Sequence, residues 1–589
     1  MTVIQTLTQQ AQQRVASLDI AEKVGLLFHP MIMLHPGQDF DSPSPMGPSL
    51  REIIVEKRIR FLCLATIGSP EQTAEMIERC QEFARAEGSG IPLVFSTDPR
   101  HSFIQNDGAS HRAQGVSQWP EPIGLGAIND PDEVRRFGEI VRKDYRAMGI
   151  RMGLHPQVDL TTDARWARQA QSFGTTAAQT SRLLEAYLRG LQGENLSSSS
   201  VAAVIKHFPG GGAQLNGEDP HFPYGREQVY PAGKFEEHLE PFRTAIDAGA
   251  EVIMPYYGMP MGLTRNGAHI AEVAFGYNKQ IITGLLREEL GYQGMVLSDF
   301  GLVTDVEIFG KPFPSRAWGV EHLSIPERYG RLLDAGIDQF GGEHDTASVL
   351  QLIADGALAE STVDRAATRV MKLMLRMGVF ADASDDITDV RQIPARADVE
   401  AGARAQSRAV TILKNDSELL PLAADSYKVY VEGIDSDSLP ASWQSVPLEQ
   451  ADLAILRRNA PFEPRDTYFL EQGMQQGSLE FESQDIAHIN SIARAVPTVL
   501  VVCLARPAIL TPVVNEVRSL VAEFGVSDLA LIDAITGSIA PEGRLPFEIP
   551  RTMKAVEEAD EDAGANTQDP LFPLGYGLDL SIPVVSEYQ

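Results

Sequence analysis

The sequence predicts an α/β protein, with an N-terminal parallel (β/α)8-like barrel of the TIM type followed by a smaller α/β domain. Short apolar and β-branched runs recur along the first two-thirds of the chain, amphipathic helical stretches lie between them, and polar residues close several of the runs. Such alternation means parallel strands with crossover helices, and over this length a closed barrel is favoured over an open sheet. Asp98, Lys206-His207, Tyr256 and Asp299 each follow an apolar run at once or closely. A parallel barrel carries the C-terminal ends of its strands to one mouth, where these residues would meet.

The expected strands are 61–65, 93–95, 201–205, 251–254, 295–297 and 335–337, with helices at 131–148, 175–192 and 235–248. Ile281, Ile282, Leu285, Leu286 and Leu290 recur at helical spacing, and Gly291 is a natural helix stop. The short buried run Met295-Val296-Leu297 then ends at Ser298-Asp299-Phe300, which makes Asp299 the first candidate for a catalytic group. A helix at 361–377 closes the barrel region. The predicted division is therefore 1–380 for the barrel, a polar linker at 381–398, and a second domain at 399–589. That domain opens with a helix at 399–413 and carries strands at 428–431, 453–456 and 499–502. The acidic run 557–562 reads as a solvated loop.

At 589 residues the chain is too long for one hydrophobic core, and two or three domains are expected. No segment approaches the roughly 18 uninterrupted apolar residues of a membrane span. The first residues lack a basic stretch followed by an apolar core, so a cytoplasmic location is expected. A formal net charge of −30 repels phosphate backbones and argues against nucleic acid, while suiting a neutral substrate. It leaves room for a homo-oligomer. Cys63, Cys80 and Cys503 are too few and too scattered for a disulfide framework or a zinc site, and Cys63 and Cys503 lie inside apolar runs as small core residues. No His/Cys/carboxylate cluster has metal-ligand spacing, and Gly210-Gly211-Gly212 lacks the Gly-Lys-Ser/Thr ending of a phosphate loop. No cofactor is implied.

Six segments, in the same order, resemble glycoside hydrolase family 3. They are Ala21-Glu22-Lys23-Val24-Gly25, Lys206-His207-Phe208-Pro209-Gly210-Gly211, Leu285 to Gly294 with Ser298-Asp299, Arg404 to Leu422, Gly543-Arg544-Leu545-Pro546-Phe547, and Pro570 to Leu578. The resemblance implies a barrel-like first domain, an α/β sandwich second domain, and an active site between them. It also implies that Asp299 is the nucleophile of a retaining mechanism, which needs a second acid roughly 5–5.5 Å away. For that acid the resemblance offers two candidates. Glu463 follows a strand-like run of the second domain, although Pro464-Arg465-Asp466 replaces the usual Gly-Asp-Arg; Glu480 and Glu482 are outsiders. Asp219-Pro220-His221 has the Asp-x-His form found in the family's N-acetylglucosaminidases, where the Asp orients the imidazole. The presence of a second domain favours Glu463.

By the same resemblance Asp98, Arg165, Lys206, His207 and Tyr256 should hold sugar hydroxyls, since carboxylates accept from neighbouring hydroxyls while Arg and Lys donate. Trp318 either stacks on a sugar ring or simply packs. The implied activity is that of an exo-acting β-glycosidase on a small oligosaccharide or glycoside, β-glucosidase first. β-N-acetylhexosaminidase through Asp219 and His221, or β-xylosidase, is the alternative. A binding protein without activity would have lost the nucleophile or the hydroxyl clamps, and both are present.

Overall fold

The computed structural model describes residues 3–44, 46–104, 113–381, 387–422 and 426–580, so part of the expected linker, 382–386, lies outside the described residues. The barrel begins with one strand in two pieces, Phe28–His29 and Met31–Ile32, interrupted at Pro30. Its second piece pairs with Phe61–Leu64, and the parallel sheet continues through Val94–Thr97, Ile150–Gly153, Ala202–Phe208, Val252–Pro255 and Met295–Val296. Leu297 then bridges Gln339, and Phe340–Gly341 pairs with Phe28–His29, which closes the ring. The strands are short and buried on both faces, as crossover helices on the outside and packed side chains inside require. Inside the barrel, His29 links Ser96 Oγ at 2.7 Å to Gln339 Oε1 at 3.0 Å, and burial pushes its imidazole down to about 3, so it stays neutral. Asp338 anchors the last strands: its carboxylate accepts from Arg287 Nη2 (2.5 Å), Arg369 Nη1 (2.8 Å) and Val296 N (2.9 Å).

Several expected elements shift for identifiable reasons. Residues 335–337 do not form a strand: Ala335 ends the helix Ile325–Ala335, Gly336 caps it in the left-handed region at φ +110°, and the strand comes later, at Phe340–Gly341. The strand Ile150–Gly153 is not among the expected ones because Arg151 breaks its apolar run. The segment Gln280–Glu289 is helical as expected, but winds as a π-helix, with Leu290 N bonding Leu285 O at 2.9 Å. In the second domain the opening helix stops at Ala409, and β-branched Thr411 and Ile412 begin the strand Thr411–Asn415.

The second domain is built on a six-stranded sheet in the order Thr411–Asn415, Ser519–Glu523, Thr498–Cys503, Leu453–Asn459, Lys428–Glu432, Gln444–Ser445. Only the first pairing is antiparallel. Alternation along Thr498–Cys503 sends Val499 and Val501 to one core and Leu500 and Val502 to the other. The latter core includes Ile123, Ala127 and Ala170 of the barrel domain, so one face of this sheet is the interface. The three cysteines are buried free thiols.

The acidic run 557–562 is not wholly a solvated loop. Asp562 is only 1 % exposed, and its carboxylate accepts from Ala232 N (2.8 Å) and Lys234 N (2.6 Å), fastening the second domain to a barrel loop. A second carboxyl is buried at the same junction. Glu121 accepts from Ile104 N at 2.9 Å, while its backbone N–H donates to Phe524 O at 2.9 Å. Burial pushes its carboxyl up to about 8, with the Glu523 charge acting in the same direction. A folded-state value above the unfolded one gives stability that is present at acid pH and lost as pH rises toward 8. Glu121→Gln, which keeps the acceptor but cannot ionise, should melt close to wild type at pH 5 and above it at pH 9. Melting temperatures across that range check this, and a constant difference would refute it.

Candidate active site

At the C-terminal mouth of the barrel, Ser298 is held by strand pairing, with its N–H donating to Gln339 O at 2.8 Å and its Oγ accepting from Gly341 N at 2.9 Å. This sets the next residue, Asp299, which is 7 % exposed. Asp299 Oδ1 accepts from Phe300 N at 2.8 Å, whereas Oδ2 is buried and has no hydrogen-bond partner among the described residues. His207 Nε2 lies 3.7 Å from that oxygen, beyond hydrogen-bond reach.

His207 is oriented by Asp159. Asp159 Oδ2 is 2.7 Å from His207 Nδ1, and Oδ1 accepts from His207 N (3.1 Å) and Gly211 N (2.5 Å). Burial and the Arg168 charge push the imidazole well below its ordinary value, so it is neutral. Its proton then sits on Nδ1 toward Asp159, and Nε2 accepts from Arg168 Nη1 at 3.2 Å. Burial pushes Asp159 up to about 6, opposed by the Gly211 N–H and by Arg168. The glycines make this loop possible. A Cβ on Gly211 would meet the Asp159 carboxylate at 3.1 Å, and one on Gly212, at φ +98°, would stand 1.9 Å from Leu160 O.

Lys206, one residue earlier, reaches Asp98 Oδ1 at 3.3 Å. The Tyr256 ring lies 4.9 Å from that of His207, and its buried hydroxyl has no hydrogen-bond partner among the described residues. Asp98, Lys206, His207, Tyr256 and Asp299 are thus brought together as expected from their positions on the strands. Arg165 is engaged elsewhere. Its guanidinium forks onto Asp163 (3.0 and 2.6 Å) and approaches Glu561 of the second domain at 4.0 Å. The arginine beside Asp299 is Arg168, fully buried, whose charge burial opposes and Tyr256, Asp219, Asp299 and Asp159 favour. Asp159, Arg168 and Tyr257 are site residues that sequence reasoning does not single out. Arg168 stands in the same short stretch as Arg165, and Tyr257 directly follows Tyr256, so position alone cannot choose between them.

The Asp219–His221 pair forms. His221 Nδ1 is 2.5 Å from Asp219 Oδ1, Trp166 Nε1 donates to Oδ2 at 3.2 Å, and Nε2 of His221 makes no hydrogen bond among the described residues. Burial opposes the Asp219 charge, but His221 and Arg168 outweigh it and hold the carboxyl at about 2. The His221 ring meets Tyr257 edge-on at 4.8 Å, and Tyr257 donates to Phe300 O at 2.7 Å, in the residue that follows Asp299. Trp318 is 4 % exposed and donates to Pro220 O at 2.9 Å, bracing this loop.

Glu463 lies on a loop of the second domain, with a side chain 52 % exposed. Its oxygens meet Ser478 N at 3.1 Å and Arg465 Nη2 at 3.3 Å. Arg465 also forks onto Glu218 (2.6 and 3.0 Å), the neighbour of Asp219. The loop is pinned from below by buried Arg506, which donates to the carbonyls of Pro461 (2.7 Å), Gln476 (3.2 Å), Gly477 (3.0 Å) and Ser478 (2.9 Å), and to Arg165 O of the barrel (2.8 Å). Glu480 and Glu482 lie further along the same chain, and Glu482 precedes the helix Ser483–Ala495.

Residues 35–373 match the Glycosyl hydrolase family 3 N terminal domain, and 447–580 the Glycosyl hydrolase family 3 C-terminal domain. The chain belongs to glycosyl hydrolase family 3. It is 42 % identical over 587 residues to "Probable beta-glucosidase C" of Aspergillus flavus, covering 98 % of this chain and 92 % of the relative. It is 36 % identical over 594 residues to "Periplasmic beta-glucosidase/beta-xylosidase" of Dickeya chrysanthemi, covering 97 % and 90 %. A solved β-glucosidase from Erythrobacter marinus shares the fold with a TM-score of 0.78 at 19 % identity, covering 98 % of this chain and 83 % of that one.

Within this family 3 site the two neighbouring arginines are separable. Arg168→Lys removes the fork that meets His207 and should lower kcat on an aryl β-glycoside by roughly 10²-fold. Arg165→Lys should mainly lower the melting temperature. Steady-state kinetics and thermal melts of both variants check this, and equal loss of kcat would erase the distinction.

Proposed function

We propose that the chain is a retaining, exo-acting β-glucosidase that removes terminal non-reducing β-D-glucosyl residues. The observation that carries the reading is the buried Oδ2 of Asp299 at the barrel mouth, without a hydrogen-bond partner among the described residues, beside neutral His207 and charged Arg168. The names of the relatives above support glucose as the sugar, with xylose second because the Dickeya chrysanthemi relative is named for both. In the proposed cycle Asp299 Oδ2 bonds to the anomeric carbon as the glycosidic C–O bond breaks, and an acid gives its proton to the departing oxygen. The conjugate base then takes a proton from water, which attacks the same carbon and frees Asp299. Asp98 and Lys206 are placed to accept from and donate to sugar hydroxyls.

Glu463 fills the acid/base role. Its half-exposed carboxylate can trade protons with solvent between the two steps, and the Arg506 and Arg465 contacts hold its loop over the Asp219 region. A second reading has one specific observation behind it: the Asp219–His221 dyad is already assembled at 2.5 Å with Nε2 unengaged among the described residues. That arrangement would give the proton from an imidazole, as in an N-acetylhexosaminidase.

Asp299→Asn should lower kcat on 4-nitrophenyl β-D-glucoside by roughly 10⁴-fold or more while the circular dichroism spectrum stays native. Near-normal turnover would remove Asp299 from the mechanism. Glu463→Ala should slow substrates with poor leaving groups far more than aryl glycosides, and azide should restore turnover as a β-glycosyl azide. If His221→Ala shows that pattern and Glu463→Ala does not, the role passes to the dyad. A panel of 4-nitrophenyl glucoside, xyloside, galactoside and N-acetylglucosaminide reads the sugar, and preference for the last would overturn the glucosidase reading.

A further inference from the structure

Between the two domains lies a cavity of about 20 Å³. Its walls come from the barrel loop carrying Thr162, Asp163 and Gln169 and from the second-domain segments carrying Glu548, Asp560 and Thr567. Three of these residues bring a buried oxygen with no hydrogen-bond partner among the described residues: Thr162 Oγ1, Gln169 Oε1 and Thr567 Oγ1. Gln169 is fully buried, and Thr162 is 9 % exposed. The Gln169 amide is oriented by its own geometry. Its Nε2 donates to Asp163 O at 2.7 Å, so the remaining atom is the carbonyl oxygen and can only accept.

Three orphaned oxygens around one small cavity, from both domains, are not what protein interiors leave without cause. The lining also includes Asp163, Glu548 and Asp560; the Asp163 carboxylate is committed to Arg165, and Asp560 is exposed. Glu548 is 8 % exposed, and Oε1 already accepts from Thr567 N at 2.7 Å. The hydroxyl, amide and carboxylate oxygens of these residues are of the kind that ligates a hard cation. The volume suits one such ion, about the space of a single water.

We propose that this cavity is a site for one oxygen-ligated hard cation, Ca²⁺ or Na⁺, which joins the two domains. The barrel residues it would bind flank Trp166 and Arg168, which contact Asp219 and His207. The ion therefore braces the loop that delivers two side chains to the active site, without touching substrate. It adds a ligand and a site to the glycosidase reading and does not depend on it.

The test uses the full chain, stripped with EDTA and exchanged into choline chloride, with melting followed as CaCl₂ or NaCl replaces choline at constant ionic strength. A saturable rise of roughly 2 °C or more with one of the two is expected, and which salt produces it assigns the charge of the ion. Thr567→Val should abolish the rise and Thr567→Ser restore it. Glu548→Gln should raise the half-saturating concentration by about tenfold. A wild-type melting temperature indifferent to both salts would overturn the proposal and leave the cavity to water. So would an undiminished rise in Thr567→Val. If Thr567→Val does not fold, the wild-type titration and Glu548→Gln still decide, and an unchanged midpoint in the latter overturns the site.

Discussion

Keeping one oxygen of Asp299 buried, without a hydrogen-bond partner among the described residues, is the constraint around which the barrel mouth is organised. An unsatisfied buried polar group costs about 1–3 kcal/mol, and more when it is charged. Asp98, Asp159, Asp219 and Asp299 are each no more than 9 % exposed in this one region. Four buried carboxylates would repel one another unless each were answered locally. Asp98 has Lys206, Asp219 has His221 and Trp166, and Asp159 has His207 with two backbone N–H groups. These pairings answer the neighbouring carboxylates locally, while Oδ2 of Asp299 has no hydrogen-bond partner among the described residues and Arg168 is close enough for the two charges to favour each other.

His207 connects these groups without adding a charge. Because burial keeps it neutral, it can donate to Asp159 and accept from Arg168 at once. A protonated ring could not accept from the guanidinium, and it would pull toward Asp299 Oδ2. The glycines after Phe208 serve the same arrangement, since only a residue without Cβ lets the backbone N–H of Gly211 approach Asp159 to 2.5 Å.

Much of this arrangement is legible in the amino-acid sequence. The apolar runs ending at Lys206-His207 and Asp299 mark both the strands and the mouth, because a fully buried parallel strand writes itself as a short apolar block. The strand Ile150–Gly153 is not legible, as Arg151 interrupts that block. Nor can sequence separate Arg165 from Arg168. The choice depends on which guanidinium the loop turns inward, and that is set by Asp163 taking the first and His207 the second. The acidic run misleads for a related reason: charge density predicts solvent on average, whereas Asp562 is buried because two barrel N–H groups need an acceptor.

The interface between domains bears directly on mechanism. A proton donor on the second domain is useful only if its position relative to Asp299 is fixed to within a fraction of an ångström, and a mobile junction would blur it. The junction is correspondingly over-determined. Arg506 gathers four carbonyls of the Glu463 loop and one from Arg165, Asp562 holds a barrel loop from the other side, and the Leu500–Val502 face shares a core with Ile123, Ala127 and Ala170. Arg506 donates to carbonyls alone, and burial pushes its guanidinium down to about 9 against the opposing charges of Glu463 and Asp163. A buried cation tied to the carbonyls on both flanks of one loop, and to Arg165 O, fastens that loop to the barrel domain. In the role proposed for it, a Glu463 presented on such a loop would be positioned by the fold before substrate binds, and the second domain would not have to close to deliver it.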